Sequence, residues 1–212
     1  MGKRMKSYLV FTGLGYRVVM FIVIPVVLTI FGTALSILFD FPGYLLSAYM
    51  LPTIEIMADA FVFEGIASKK IAHLEYLKTS KRGIKLMRDA LQGGMIRMLI
   101  SSAVLLCVNH LIYLGIAGES WNMNSVFVLL WFCVFIYVIA MSMLVIARFF
   151  ISAQVNYILG FFGVLLELLV LWFGKNLYVS FVILVIIGIA VSVFSVKIVE
   201  KRMRESYYDK TV

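Results

Sequence analysis

Long apolar runs recur along the chain, separated by shorter polar segments. A helix rises about 1.5 Å per residue, so about 20 apolar residues cross the hydrocarbon core of a bilayer. Six runs reach this length: 18–38, 44–63, 98–116, 126–147, 155–173 and 177–196. Runs this long and this uniformly apolar are typical of helices and not of barrel strands, which are shorter and alternate in polarity. The pattern therefore predicts an all-α membrane protein with six transmembrane helices.

The composition excludes an ordinary soluble domain. The chain is 63% apolar and 14% charged, whereas soluble domains have roughly 45–50% apolar and about 25% charged residues. The predicted outer connections, 39–43, 117–125 and 174–176, are too short to hold an extracellular domain. We therefore expect residues 1–212 to form a single transmembrane domain.

The basic residues predict the orientation, because Lys and Arg are retained on the cytoplasmic side of a membrane. Of the 19 Lys and Arg residues, only Lys175 lies in a connection on the other side. Both termini are thus expected in the cytoplasm of a cell that carries this protein in its plasma membrane. Topology and attraction to anionic lipid headgroups explain the net charge of +8, so nucleic-acid binding is not needed to explain it.

The two ends of the chain are expected to lie on the cytoplasmic surface. Residues 1–17 mix basic and apolar side chains, which is typical of a helix in the membrane interface. The apolar run that follows is longer than a signal-peptide core and has no small-residue cleavage site after it, so we interpret it as a retained span. Residues 197–212 form a charged cytoplasmic tail.

Residues 64–97 form the one long hydrophilic connection, between the second and third spans. Its first part has Ile71, Leu74 and Leu77 at intervals of three, which predicts a short amphipathic helix. After a turn at 80–83, a second apolar stripe continues into the third span. Gly93 and Gly94 are the residues in this stretch that could interrupt the helix. Its members are Ile84, Met87, Leu91 and Met98. The first helix either docks in the groove of a partner or lies on lipid headgroups, and its spacing alone does not choose between these.

Four polar side chains inside the predicted spans are candidates for a translocation path. Charge inside a bilayer costs a few kcal/mol, so it calls for an explanation. Glu55 and Asp59 share one face of the second span, since they are four residues apart. Glu167 in the fifth span lies at a level comparable to that of His110 in the third. Either these groups line a polar path, or they are buried and satisfied by neighbouring groups.

Small residues and a proline predict local helix geometry. Gly32 with Ser36, and Gly188 with Ser192, place small side chains four apart, which permits close helix approach. Pro25 lacks a backbone N–H and is expected to distort the first span.

The layout resembles the membrane subunits of ATP-binding-cassette transporters of the second, export-type class. In that family an elbow helix precedes six spans, and a coupling helix between helices two and three docks on a separate ATPase. The stretch from His73 to Ser80, HLEYLKTS, is similar to the family's coupling segment. The resemblance implies ATPase contacts at Ile71, Leu74, Glu75, Tyr76, Leu77 and Lys78.

The resemblance also implies the partners and the cargo. The ATPase subunits would bind ATP and Mg, so this chain itself would need no cofactor and catalyse no reaction. A second permease, identical or related, would complete the pathway. Small permeases of this kind export amphipathic or cationic peptides or lipid-like molecules, or give immunity to such peptides.

Two other functions fit parts of the sequence. Substrate-capture subunits of energy-coupling-factor vitamin uptake systems also have about six helices, but the long connection 64–97 disfavours one. An intramembrane enzyme is disfavoured because Glu55 and Asp59 lack neighbouring His ligands and no Gly-x-Ser-x-Gly turn is present. Cys107 and Cys133 have no metal-ligand spacing, so we expect them to pack inside the protein.

Overall fold

The computed structural model describes residues 2–39, 43, 50–51, 54, 80–118, 120–150 and 177–208. Every regular element among them is a helix. We number these helices α1 (Lys3–Val10), α2 (Leu14–Phe39), α3 (Lys81–Ala117), α4 (Met123–Phe150) and α5 (Leu177–Tyr208). The predicted fifth span, most of the second and the first half of the connection 64–97 lie outside the described residues.

Four of the described helices are long and apolar enough to cross a membrane. The qualifying segments are Leu14–Phe39, Lys81–Ala117, Met123–Val145 and Tyr178–Ile198. The predicted all-helical class is confirmed for the described part of the chain, and these four helices are compatible with a protein embedded in a membrane.

The helix boundaries differ from the predicted ones mainly at the polar ends. α2 begins at Leu14 and not at residue 18, so the predicted elbow 1–17 contains the separate helix α1 (Lys3–Val10) and the first turn of α2. α5 continues beyond the predicted residue 196 to Tyr208. Apolar runs mark only the part of a helix that hydrocarbon surrounds, so helical turns outside that layer extend past them.

Pro25 distorts α2 as predicted. Val19–Val23 form a π-helical segment directly before it, closed by a bond from the Ile24 N–H to the Val19 carbonyl. A proline ring collides with the carbonyl four residues earlier, here that of Phe21, and the wider π turn relieves this collision.

α3 is the longest described helix, with 37 residues. Ser80 caps its start, since its Oγ accepts the Gly83 N–H at 2.9 Å. Gly118 ends it in the left-handed conformation, with φ 68°. The helix is about 55 Å long, which exceeds a hydrocarbon core of roughly 30 Å. The second stripe of the connection 64–97 is therefore part of α3, and Gly93 and Gly94 do not interrupt it.

α2 and α3 run in the same direction. Gly32 of α2 lies beside Asn109 of α3, and nearer the start of both helices Pro25 and Ile100 line one cleft. We call the end at which these two helices begin the basic end, and the other the opposite end.

α4 runs against α3. Trp121, just before α4, contacts His110 near the opposite end, whereas Tyr137 farther along α4 packs in one cluster with Met98. The Met123–Val145 segment of α4 is the most buried of the four, at 67% of its most apolar window against 17% for α2 and for α5. α4 is therefore the central helix of the described bundle.

α5 runs parallel to α4 and packs along it. Trp131 Nε1 donates to Ser180 Oγ at 2.9 Å, and farther along both helices the hydroxyls of Tyr137 and Ser192 are hydrogen-bonded at 2.5 Å. A Cβ on Gly188 would lie 3.3 Å from Val138 Cγ2. The predicted close approach at Gly188 and Ser192 is confirmed.

Candidate functional site

The N-terminal helix α1 packs against the first turns of α3 at the basic end. Tyr8, Met87, Ala90 and Leu91 form the buried centre of this contact, which we call the α1–α3 junction. Ile84 packs against its edge. The apolar stripe predicted for this part of α3 is thus a buried face, and α1 covers it.

Gly93 sets how closely the two helices approach. A Cβ at this position would lie 2.3 Å from the Arg4 carbonyl oxygen and 2.8 Å from Tyr8 Cβ. A Cβ on the neighbouring Gly94 would lie 3.3 Å from Cε2 of the Tyr8 ring. The backbone of α1 therefore lies directly on α3 at a place where any side chain would displace it.

Tyr8 and Arg97 bring polar groups into the junction. Tyr8 is 1% exposed and Arg97 is 4% exposed. The guanidinium carbon of Arg97 lies 5.7 Å from the Tyr8 ring centroid, within cation–π range. The Tyr8 hydroxyl is hydrogen-bonded to that of Tyr16 at 2.6 Å. A buried cation thus marks the point at which α1, α2 and α3 meet.

Arg17 holds the turn between α1 and α2. Its Nη2 donates to the Leu9 carbonyl at 2.6 Å, and its Nε donates to the Thr12 carbonyl at 3.2 Å. Carbonyls at the end of a helix lack partners within it and carry partial negative charge. Arg17 therefore satisfies the end of α1 and orients it relative to α2.

An ion pair links α3 to α5 at the basic end. Arg88 Nε donates to Glu200 Oε1 at 2.5 Å. The Arg88 side chain is 48% exposed, so water screens the pair and its contribution to stability is small.

A second polar cluster lies toward the opposite end, where α2 and α3 meet Gly43, the last residue of the predicted connection 39–43. The Gly43 N–H donates to Ser36 Oγ at 3.1 Å, and Ser36 Oγ donates to the Gly32 carbonyl at 2.9 Å. A Cβ on Gly32 would lie 2.9 Å from Asn109 Oδ1. The predicted close approach at Gly32 and Ser36 is confirmed: at this point α2 contacts both α3 and Gly43.

His110 is the one predicted path residue that the structure describes. It is 7% exposed, and its ring meets the Trp121 ring edge-on at a centroid distance of 5.5 Å. His110, near the end of α3, thus has a ring contact with Trp121, which lies just before α4. Glu55, Asp59 and Glu167, to which the path prediction relates it, lie outside the described residues.

The predicted ATPase contacts also lie outside the described residues: Ile71, Leu74, Glu75, Tyr76, Leu77 and Lys78. The structure does describe where that segment ends, at the Ser80 cap of α3. The segment therefore leads directly into the helix on which α1 packs.

Sequence reasoning missed Tyr8 and Arg97. Two signals were present: Arg97 is the last basic residue before the third apolar run, and the glycine pair at 93–94 immediately precedes it. Adjacent glycines inside a long helix indicate close contact with another backbone, but they do not say which one. Within the described part of the chain, no three His, Cys, Asp or Glu side chains come together as metal ligands.

Comparison with protein-family models, with curated proteins and with solved structures gave no match.

Proposed function

We propose that this chain is the membrane-spanning permease subunit of an ATP-binding-cassette exporter of the second class. It would cross the plasma membrane six times with both termini in the cytoplasm. The observation that carries the proposal is the packing of α1 on the first turns of α3. These turns precede the apolar run and directly follow the segment that resembles a coupling helix.

The directions of the described helices support six crossings. α2 and α3 are parallel, so the chain between them has to return from the opposite end to the basic end. Gly43 lies against Gly32, and Leu51 packs in a cluster with Leu28, nearer the basic end, as a returning helix would. α4 and α5 are parallel as well, so residues 151–176 have to return in the same way. Two additional crossings at the predicted second and fifth spans satisfy both requirements.

The α1–α3 junction supports a coupling role for the neighbouring segment. Residues 81–97 of α3 are about 25 Å long, and they precede the apolar run that starts at residue 98. Force applied to the segment before Ser80 would pass into a continuous helix, because Gly93 and Gly94 do not break α3. α1 would serve as the elbow that braces this helix.

In this mechanism the chain performs no covalent chemistry. ATP-driven closure of two partner ATPase subunits would push on the coupling segment and shift the permease between inward-open and outward-open populations. A second permease, identical or related, would supply the other half of the pathway. Glu55, Asp59, Glu167 and His110 are the proposed path residues, and acidic groups there favour a cationic or amphipathic peptide or a lipid-like molecule.

Co-purification tests the coupling assignment. Leu74→Asp with Leu77→Asp places charge on the apolar face of the proposed coupling helix, so we expect an ATPase with a phosphate-binding glycine-rich loop to be lost from the tagged protein isolated from its native membrane. Val10→Asp is the matched control, because Val10 is 70% exposed on α1 at the same end. Mass spectrometry of the eluate measures the ATPase. Equal ATPase recovery with both variants would contradict the coupling assignment.

A further inference from the structure

A cleft of about 350 Å³ lies between α3 and α5 at the basic end. Of the described residues, those that line it belong to these two helices alone. Arg88, Gln92 and Met95 form the α3 side and share one helix face, because they are three or four positions apart. The volume is within the range of sites for small molecules, about 300–1,000 Å³.

The two ends of the cleft differ in polarity. Met95 of α3 and Val193 of α5 lie at its inner end, toward the middle of the bundle. Arg88 lies about 10 Å from Met95 along α3, and Glu200 lies about 10 Å from Val193 along α5. Both of these charged residues line the outer end, together with Lys197. The cleft therefore has an apolar inner end and a charged outer end.

The cleft lies at the level where the apolar runs of its two helices stop. The run at 98–116 begins just past Met95, and the run at 177–196 ends just before Lys197. The headgroup layer on each side of a hydrocarbon core is about 5–8 Å thick. A cleft about 10 Å long at this level spans that layer and reaches the edge of the hydrocarbon. In a membrane, the group that meets this cleft is thus a lipid headgroup.

The charge of the lining favours an anionic headgroup. Arg88 and Glu200 are paired with each other, so their charges offset. Lys197 is exposed and Gln92 is half-buried, and within the described part of the chain neither side chain has a hydrogen-bond or ion-pair partner. A lysine ammonium has three N–H donors and a side-chain amide has two, and phosphate oxygens accept such bonds. The cleft therefore offers one net positive charge and a set of unused donors.

We propose that this cleft binds the headgroup of an anionic phospholipid, with the lipid phosphate at Lys197 and Gln92. The glycerol backbone and the first acyl carbons would lie against Met95 and Val193. The Arg88–Glu200 pair would stay closed beside the lipid. The site requires only that the chain lies in a membrane, and it is independent of the proposed transport function.

Native mass spectrometry of the full chain in mild detergent tests the site, with added phosphatidylglycerol or phosphatidylcholine of identical acyl chains. One cation at the headgroup corresponds to about a five-fold preference for the anionic lipid. Lys197→Gln removes this cation and is expected to abolish the preference. Lys6→Gln is the matched control, because Lys6 is an exposed cation at the same end and does not line the cleft.

Two further variants test the charge balance and the cavity itself. Glu200→Gln removes the one carboxylate among the described lining residues, so the preference for phosphatidylglycerol should rise above that of the wild type. Val193→Trp fills the inner end and leaves Lys197 in place, so it should weaken the binding of both lipids. Ile189→Trp is its control, because Ile189 is 63% exposed on the same helix and does not line the cleft.

The proposal is overturned if the wild-type chain binds both lipids equally, if Lys197→Gln and Lys6→Gln lower the preference to the same extent, or if Val193→Trp and Ile189→Trp weaken binding equally. Inorganic phosphate at the concentration of the lipid should leave phosphatidylglycerol bound, because it lacks the apolar contacts. Displacement by phosphate would assign the cleft to the free ion and not to a lipid.

Thermal unfolding of each variant reports its folding. If Lys197→Gln does not fold, Lys197→Arg, which retains the cation, should keep the preference for phosphatidylglycerol. The comparison of Val193→Trp with Ile189→Trp then decides whether the lipid occupies the cleft.

Discussion

Gly93 is the residue at which a single methyl group has the largest expected effect on the α1–α3 junction. In Gly93→Ala the new Cβ would meet the Arg4 carbonyl, a backbone atom that moves only if α1 moves. Overpacking of this kind costs about 1–3 kcal/mol. We expect a lower unfolding temperature in detergent and faster amide exchange in α1.

Gly115→Ala is the matched control for that prediction. Gly115 lies in the same helix and has no atom within 4 Å of a built Cβ. Alanine there gains helix propensity of up to about 1 kcal/mol, so the unfolding temperature should stay the same or rise. Equal losses in the two variants would show that the close contact at Gly93 does not matter.

Residue-level prediction from the sequence succeeded where the information was local. The spacing of Gly32 and Ser36 predicted a tight contact, because small side chains four apart share one helix face. It did not identify Tyr8 and Arg97 as partners, because they are far apart in the chain and periodicity reports only on one helix at a time. Exposure also differs between the cysteines: Cys133 is buried as expected, whereas Cys107 is exposed, so the packing prediction is wrong for Cys107.

Among the helices, α1 depends most on a few polar contacts, since it has only 8 residues. Isolated helices of this length are not stable in water. Burial of Tyr8 and the hydrogen bonds from Arg17 to the Leu9 and Thr12 carbonyls therefore keep α1 folded and in place. A change at either one should release the helix without unfolding the bundle.

Arg17→Gln tests this dependence. The variant loses hydrogen bonds from a charged group to the Leu9 and Thr12 carbonyls, each worth about 1.5–3 kcal/mol. Local opening of α1 should therefore speed amide exchange over Lys3–Val10 about ten-fold or more. Lys6→Gln is the control, because Lys6 is an exposed cation on the same helix. Exchange that is equally fast in both variants would show that the loss of a positive charge, and not the loss of the Arg17 hydrogen bonds, opens α1.

The apolar runs predicted the existence of the described long helices, and the errors lie at their ends. The run at 98–116 corresponds to a helix that starts at Lys81, because Ser80 supplies the cap and α1 covers the apolar stripe that precedes the run. Hydropathy marks where hydrocarbon surrounds a helix, whereas caps and tertiary contacts set where the helix begins. The amphipathic spacing of Ile84, Met87 and Leu91 predicted the helical part of the chain that precedes the run at 98–116.

At the scale of the whole molecule, the described helices form two parallel pairs around a buried α4. Helices α2 and α3 leave the basic end, and α4 and α5 return to it. This arrangement places the starts of α2 and α3, the Arg88–Glu200 pair and the helix α1 together at one end. Charge segregation along the sequence predicts the same grouping, because each basic segment but the one with Lys175 precedes or follows a span at that end.

Cysteine labelling in intact cells tests which side of the membrane this end faces. Met123, which is 86% exposed, lies at the opposite end, and Lys85 is exposed at the basic end. In a Cys107→Ser background, Met123→Cys should react with a membrane-impermeant maleimide from outside, whereas Lys85→Cys should react only after permeabilisation. Cys133 stays in place because it is buried. Retaining a cationic end in the cytoplasm follows from the cost of moving Lys and Arg across a bilayer, so the reverse labelling pattern would place 64–97 outside the cell, where no ATPase could reach it.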